Sequence, residues 1–432
     1  MTATEPPRAD QGPEVVIGPP AGTNETSLPP RAEAVVRRRR VESRQRRLTG
    51  WQVAITAVSV LLLLGLSWVG YQSALKVGGG TDDRVTDPTQ PGYLAEPRPT
   101  PADAYVVTDA EGQFASALMV VPDSSGQGGT LVPLPPSFIV PEYEDSPPEF
   151  LSTLYNEGGP DGFRDRLGVA LGVTIDSVRE VPEAAIEELA GGVPLEVENV
   201  DDLAVRNPDG TTELRYPAGP LTLEPSAIVE FLAFEGADDP APNQAIRATA
   251  VWEQLFANAV DSTHEDLTEG AASEGAASPP FGAAVDDLTA GEVRYDSVPM
   301  AKVPVPDSYF VAWMPDPASL NKFVARVVPL PRSPAPGIRP SAAVLNGTTS
   351  SDALTAMVPV VVEAGGAVSL VGNADSFDVA TTTVQWLSPD GRAVAESIAG
   401  QLGLTATEAS DEVAGELGGT SVLVVLGSDR TT

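Results

Sequence analysis

Apolar positions run uninterrupted by charge from residue 48 to residue 75 (LTGWQVAITAVSVLLLLGLSWVGYQSAL). A helix of about 20 apolar residues crosses the roughly 30 Å hydrocarbon core of a bilayer with every backbone polar group paired internally. Trp51, Trp68 and Tyr71 stand where interfacial aromatics belong. Arg37–Arg40, Arg44, Arg46 and Arg47 precede the run, and only Lys76 follows closely. The positive-inside rule therefore predicts a cytoplasmic N-terminus, with everything after Lys76 outside the cell. The apolar core is too long, and its lead-in too distant from the start, for a cleaved signal peptide, so the pattern predicts a retained single-pass signal-anchor in the cell membrane.

The flanks have no apolar period. Residues 1–47 are rich in Pro, Glu, Thr and Arg and predict a disordered basic cytoplasmic tail. Residues 76–102 read as a Gly/Pro linker that lifts the rest of the chain off the membrane. An α/β pattern begins at about 103. ALMVVP (117–122) and TLVPLP (130–135) read as strands around the turn signal DSSGQGG. Phe163, Leu167, Ala170 and Leu171 share one helical face, with Pro160 near the first turn. Residues 183–190 predict a helix stopped by Gly191-Gly192. Residues 224–234 predict another that opens at Pro225 and buries Ile228, Phe231 and Leu232. A third helix, 246–260, presents Val251, Trp252, Leu255 and Phe256 to a core. VRYDSVPM (293–300) reads as a strand. Residues 316–328 read as a helix capped by Asp316, with Pro317 in its first position.

A Pro-rich hinge at 333–340 precedes a second, smaller α/β unit over 341–429. Its predicted order is strand (341–346), helix (350–364, kinked or interrupted by Pro359), strands (367–373 and 380–388), helix (391–403) and a buried strand (421–427). The fold class is thus α/β: an anchor, an extracytoplasmic α/β domain over 103–332, and a smaller C-terminal α/β domain.

Charge narrows the function. The chain has a formal net charge of -34, yet residues 1–47 hold nine Arg against six acids. The acidic excess therefore lies wholly in the region predicted to be exported, which argues against nucleic acid as a partner. There is no Cys, which excludes disulfides, thiolate nucleophiles and Cys-ligated zinc. The single histidine, His264, lies in the polar stretch DSTHEDLTEGAAS and reads as a solvated loop or helix-end residue. The acidic pairs Asp82-Asp83, Asp201-Asp202, Asp238-Asp239 and Asp286-Asp287 lack the spacing of a calcium loop and read as solvated turns, so no metal site is expected. Three Lys beside 23 Arg fit a GC-rich bacterial genome, such as an actinobacterial one.

AVLNGT (343–348), VGNADSFDVATTTVQW (371–386), GRAVAESIAGQLGL (391–404) and SVLVVLGSD (421–429) resemble the LytR C-terminal domain family, with GNADSFD (372–378) the most specific word. Residues 103–332 resemble a diverged LytR-CpsA-Psr (LCP) domain. The words that carry this are LYNEGGPDGFRDRLGVALGVTID (154–176), GGVPLEV (191–197) and YPAGPLTLEPSAIVEFLAF (216–234), in the family's order. The resemblance implies a cell-envelope protein. The family's enzymes move a glycopolymer from a polyprenyl pyrophosphate carrier onto peptidoglycan. That task needs arginines on the pyrophosphate and a carboxylate to position magnesium.

This chain departs from the family at those places. Where the family has Arg-Ser-Asp, it reads Phe114, Ala115 and Ser116. Where the family has Ile-Pro-Arg-Asp-Thr, it reads Leu134, Pro135, Pro136, Ser137 and Phe138. The first pair of the third Arg group falls on Ala233 and Glu235, and the second on Gln244 and Arg247, with Asp238 at the acidic position. Arg247 and Asp238 are therefore the remaining ligand-binding candidates, and Arg247 is expected in a surface ion pair with a nearby acid. No catalytic residue and no cofactor is expected. Each lost phosphate donor costs about 3–4 kcal/mol of barrier, which predicts a pseudoenzyme that works by binding envelope proteins or wall polymer. The alternative is an active phosphotransferase that uses Arg247, Asp238 and Lys302 with magnesium.

Overall fold

The computed structural model describes residues 85–236, 239–260, 263–264, 267–304 and 311–430. The predicted tail and membrane span, and Asp238, lie outside the described residues. Among the described residues no helix is long and apolar enough to cross a membrane.

The chain passes through a two-residue strand, β1 (Leu94–Ala95), into an antiparallel meander of β2 (Asp103–Thr108), β3 (Phe114–Pro122) and β4 (Gly129–Leu134). β3 is buried along nearly its whole length, so it reads as a continuous apolar run rather than an alternation. A short ribbon of β5 (Ile139–Val140) and β6 (Glu149–Phe150) leads to α1 (Leu151–Leu171). Gly159, at φ 63°, breaks α1 just before Pro160, which starts its second half. β7 (Ser177–Pro182) lies parallel to β2, and α2 (Glu183–Leu189) follows. Of β8 (Leu195–Asn199), β9 (Leu203–Arg206), β10 (Thr212–Tyr216) and β11 (Gly219–Leu223), the outer two pair with each other, as do the inner two. Then come α3 (Ile228–Ala233), α4 (Ala241–Ala259), α5 (Phe281–Thr289), β12 (Val293–Tyr295), the hairpin β13 (Met300–Pro304) and β14 (Val311–Pro315), and α6 (Pro317–Val327).

The main sheet has the order β12-β4-β3-β2-β7. Strand alternation sends Tyr105 and Val107 into a core with α2 to α5, and Ala104 and Val106 into a second core with α1 and α6. The result is a helix–sheet–helix sandwich, an α/β domain as the pattern predicted, with a layer order that the pattern left open. The strand expected over 293–300 is two strands. β12 ends at Tyr295, and Asp296 turns out to hold Arg326, its carboxylate accepting at 2.6 Å and 2.9 Å.

The C-terminal domain holds β15 (Ser341–Asn346), α7 (Ser351–Glu363), β16 (Ala367–Asn373), β17 (Thr383–Trp386), α8 (Arg392–Leu402), β18 (Thr407–Glu408), α9 (Asp411–Glu416) and β19 (Val422–Leu426). Its sheet runs β1-β16-β15-β19-β17-β18. β19 lies between β15 and β17, as its unbroken apolar sequence required. α7 runs through Pro359 as one helix, so of the expected kink or interruption the interruption does not occur.

Two expectations about the connections change. The second half of the predicted spacer is not free, because β1 pairs with β16 and becomes the edge strand of the C-terminal sheet. The Pro-rich segment 333–340 is not a loose hinge either. Arg339, 5% exposed, donates from Nη1 to the carbonyls of Val362 (3.1 Å) and Gly366 (3.3 Å). Its Nη2 donates to Asn321 Oδ1 (2.9 Å), and its Nε to the Gly172 carbonyl. One guanidinium thus ties α1 and α6 to α7, and Val362 packs into the same core as Phe323 and Val324. Burial pulls the Arg339 pKa down to about 10, which leaves it charged at neutral pH.

A polar knot sits where β2 and β7 begin side by side. Ser177 Oγ donates to Asp103 Oδ1 at 2.7 Å, and both side chains are buried. Burial pushes the Asp103 carboxyl up to about 6, and nearby Asp176 adds to it. A raised carboxyl contributes stability that is fully present below its unfolded value of about 3.9 and is lost as pH rises through about 6. Asp103→Asn, shaped like the protonated acid, is expected to remove about 2–3 kcal/mol of that pH dependence. Urea unfolding of both proteins at pH 4 and pH 7 checks it, and equal slopes in the two proteins contradict it.

Candidate functional site

Of the positions that the LCP resemblance singles out, Ser137, Gln244 and Arg247 meet, where the chain leaves β4 and where α4 begins. What they build is a closed polar plug. Pro135 and Pro136 end β4, and Ser137 then turns inward. Its Oγ donates to Gln244 Oε1 at 2.6 Å, and its N–H points at the same oxygen at 3.4 Å. Gln244 Nε2 donates to the Asp239 carbonyl at 2.9 Å. Gln244 and Arg247 lie one helical turn apart on the buried face of α4.

Arg247 is 3% exposed, and its Nη1 donates to Asp239 Oδ2 at 2.9 Å. The Asp239 side chain is 2% exposed. Arg247 Nη2 donates to the Phe234 carbonyl, and the guanidinium carbon lies 5.3 Å from the centre of the Phe231 ring. The expected surface ion pair is therefore a buried one. Its acid is Asp239, and the ring of Phe231 with the turn at Phe234 closes it off from water. Arg247 Nε and Asp239 Oδ1 have no hydrogen-bond partner among the described residues.

The other matched positions are apolar or neutral. Phe114 sits in an aromatic cluster with Tyr155 and Phe163, at centroid distances of 6.0 Å and 5.9 Å, and its N–H donates to Asn156 Oδ1 at 2.9 Å. Ser116 is fully buried, and its Oγ has no partner among the described residues. Leu134 and Phe138 are fully buried.

Ala233 and Glu235 line a cavity of about 470 Å³ beside the plug, with Asp109, Glu111, Glu183 and Glu230. Glu235 reaches solvent, yet the crowding around it, and then the charge of Asp239, raise its pKa. Partial burial and neighbouring acids raise Glu183 as well. Glu230 is paired with Arg215 at the surface. A cavity rimmed by carboxylates repels a pyrophosphate where the family's site attracts one.

Six further arginines are each paired with an acid. Arg164, Arg179, Arg215, Arg294, Arg326 and Arg332 are held by Asp161, Glu269, Glu230, Asp123, Asp296 and Asp176 respectively. Lys302 lies on the β13–β14 hairpin over the ring of Trp313, 5.2 Å from its centre. Among the described residues, no group of three or more His, Asp or Glu side chains is arranged to hold a metal ion.

His264 departs from its expected place. It is 8% exposed rather than solvated, because Asp286 holds it twice: at Nδ1 (2.8 Å) and at the backbone N–H (3.1 Å). Asp286 belongs to α5, a helix that the apolar pattern did not single out. Asp202 is exposed between β8 and β9, as a solvated acid should be, and accepts the Ala218 N–H at 2.8 Å. The partner of Arg247 was visible in the sequence only as one of two adjacent acids before Pro240.

No family model matches the chain, and no curated protein matches it. Several solved structures are similar to it. TagV from B. subtilis is 12% identical at a TM-score of 0.39, covering 53% of this chain and 97% of that one. A LytR-Csp2A-Psr enzyme from Actinomyces oris is 17% identical at 0.40, covering 58% and 96%. TagT bound to LIIa-WTA is 13% identical at 0.39, covering 57% and 92%. Likeness at this level carries no chemistry with it, and the chain's own residues decide what the site does. In outline, this chain is similar to solved structures of LCP proteins.

Proposed function

We propose that this chain is a membrane-anchored cell-envelope protein whose LCP-like domain has lost phosphoryl transfer and acts by binding. Its partners are envelope proteins or the wall polymer itself, and its role is scaffolding in glycopolymer assembly. One observation carries the reading. The only cation left at the matched positions, Arg247, is buried and already neutralised by Asp239. A guanidinium spent on an internal carboxylate has no charge to offer a pyrophosphate, and freeing it leaves Asp239 buried and unpaired. The neighbouring acids at Glu235, Glu183 and Asp109 add repulsion. The apolar run at 48–75 and its arginine flank support the anchor and its orientation. A calorimetric titration with a short-chain polyprenyl pyrophosphate, with and without magnesium, tests the reading. No binding is expected at millimolar ligand.

A further inference from the structure

The most specific word of the C-terminal resemblance, GNADSFD (372–378), grips the chain's own entry segment. The Asn373 Nδ2 donates to the carbonyls of Pro88 (2.9 Å) and Gln90 (2.7 Å). Its backbone N–H donates to the Tyr93 carbonyl at 2.7 Å, and Ala374 O accepts the Gly92 N–H at 3.0 Å. Leu94 and Ala95 then pair in register with Gly372 and Val371. Gly372 has to be glycine for this approach, because a Cβ there would overlap the Tyr93 carbonyl oxygen. These bonds all go to the main chain of residues 88–95, so the grip reads the backbone of a turn and of the short strand after it, and not particular side chains.

The captured segment arrives pre-shaped. Asp87 accepts from the backbone N–H of Thr89 at 2.9 Å and from its Oγ1 at 2.7 Å, an Asx turn, and Gly92 sits at φ +78°. The apolar core of the C-terminal domain, built from residues such as Val344, Val361, Ile398 and Val424, takes no residue from 85–95. The segment is therefore attached to a domain that has its own core.

We propose that the β16 edge of the C-terminal domain is a docking site for a polypeptide that runs from a turn into a short strand, and that residues 87–95 of the same chain are its resident occupant. This is strand addition to a sheet edge, with main-chain hydrogen bonds supplying the affinity. Tethering makes the event intramolecular, so a weak site stays filled at a high effective concentration. The glycine and asparagine of the motif thereby acquire a physical role: one clears the path for a strand, and the other fixes its entry.

Hydrogen exchange on the full chain, purified in mild detergent, tests this with two variants. Gly372→Val blocks the domain side. Gly92→Pro breaks the segment side by removing a bonded N–H and a positive φ. Both are expected to lose at least tenfold protection at amides 93–95 while β15 and β19 stay protected. A synthetic peptide of residues 85–98, added to the Gly92→Pro protein, is expected to restore protection at the Asn373 amide, and to do nothing in Gly372→Val. Loss of protection throughout the C-terminal sheet in both variants overturns the proposal, because β1 is then an integral strand. So does failure of the peptide to protect the Gly92→Pro protein.

Discussion

Arg247→Ala is expected to destabilise the protein by about 3–5 kcal/mol, because it leaves Asp239 buried without its partner. The change also strips the Phe231 ring of its cation and the Phe234 carbonyl of a donor. Replacing both charges together, as Arg247→Met with Asp239→Leu, is expected to recover most of the loss. A buried pair gives up in desolvation much of what it gains by attraction, so an apolar pair of similar volume stands in for it. Chemical denaturation of the wild type, the two single variants and the double variant measures the coupling. In an active phosphate site Arg247 faces a ligand cavity, and its loss leaves stability nearly unchanged. The size of the effect therefore bears on function as well as on folding.

The second large effect is expected at Arg339. Truncation to Ala removes this donor from the carbonyls of Gly172 and Gly366, each at about 1–3 kcal/mol, while the Val362 carbonyl keeps the Gly365 N–H. These groups lie on different domains, so the loss is expected to uncouple them. Calorimetry should show the wild type melting in one main transition and Arg339→Ala in two. Arg339→Lys is not expected to rescue it. A single ammonium cannot reach acceptors that the planar guanidinium fork meets from Nε, Nη1 and Nη2. One unchanged transition in Arg339→Ala means that the apolar contacts of α6 and α7 alone hold the domains together.

Much of the framework was legible in the sequence, for physical reasons that differ by element. ALMVVP announced a strand, and SVLVVLG a buried one. Pro160, Pro225 and Pro317 marked helix starts because a missing N–H costs nothing there. Val251, Trp252, Leu255 and Phe256 kept helical spacing, and all four are buried. β1 was illegible, because two residues among prolines carry no period and their pairing comes from a partner almost 280 positions away. α5 was missed because FGAAVDDLT is short and rich in small side chains. At the site, the absence of arginines could be read directly from Phe114, Pro136 and Ala233. Burial could not. Whether Arg247 faces water or a carboxylate depends on which of two adjacent acids turns inward, a choice that tertiary packing makes.

The central claim is that this site cannot hold a lipid pyrophosphate. The most direct measurement is calorimetric titration of the full chain, in detergent, with a short-chain polyprenyl pyrophosphate, with and without magnesium. The account predicts no binding up to millimolar ligand in either condition. Micromolar binding that needs magnesium and disappears in the stable double variant Arg247→Met, Asp239→Leu would contradict it. That result would show that the plug opens to admit the ligand.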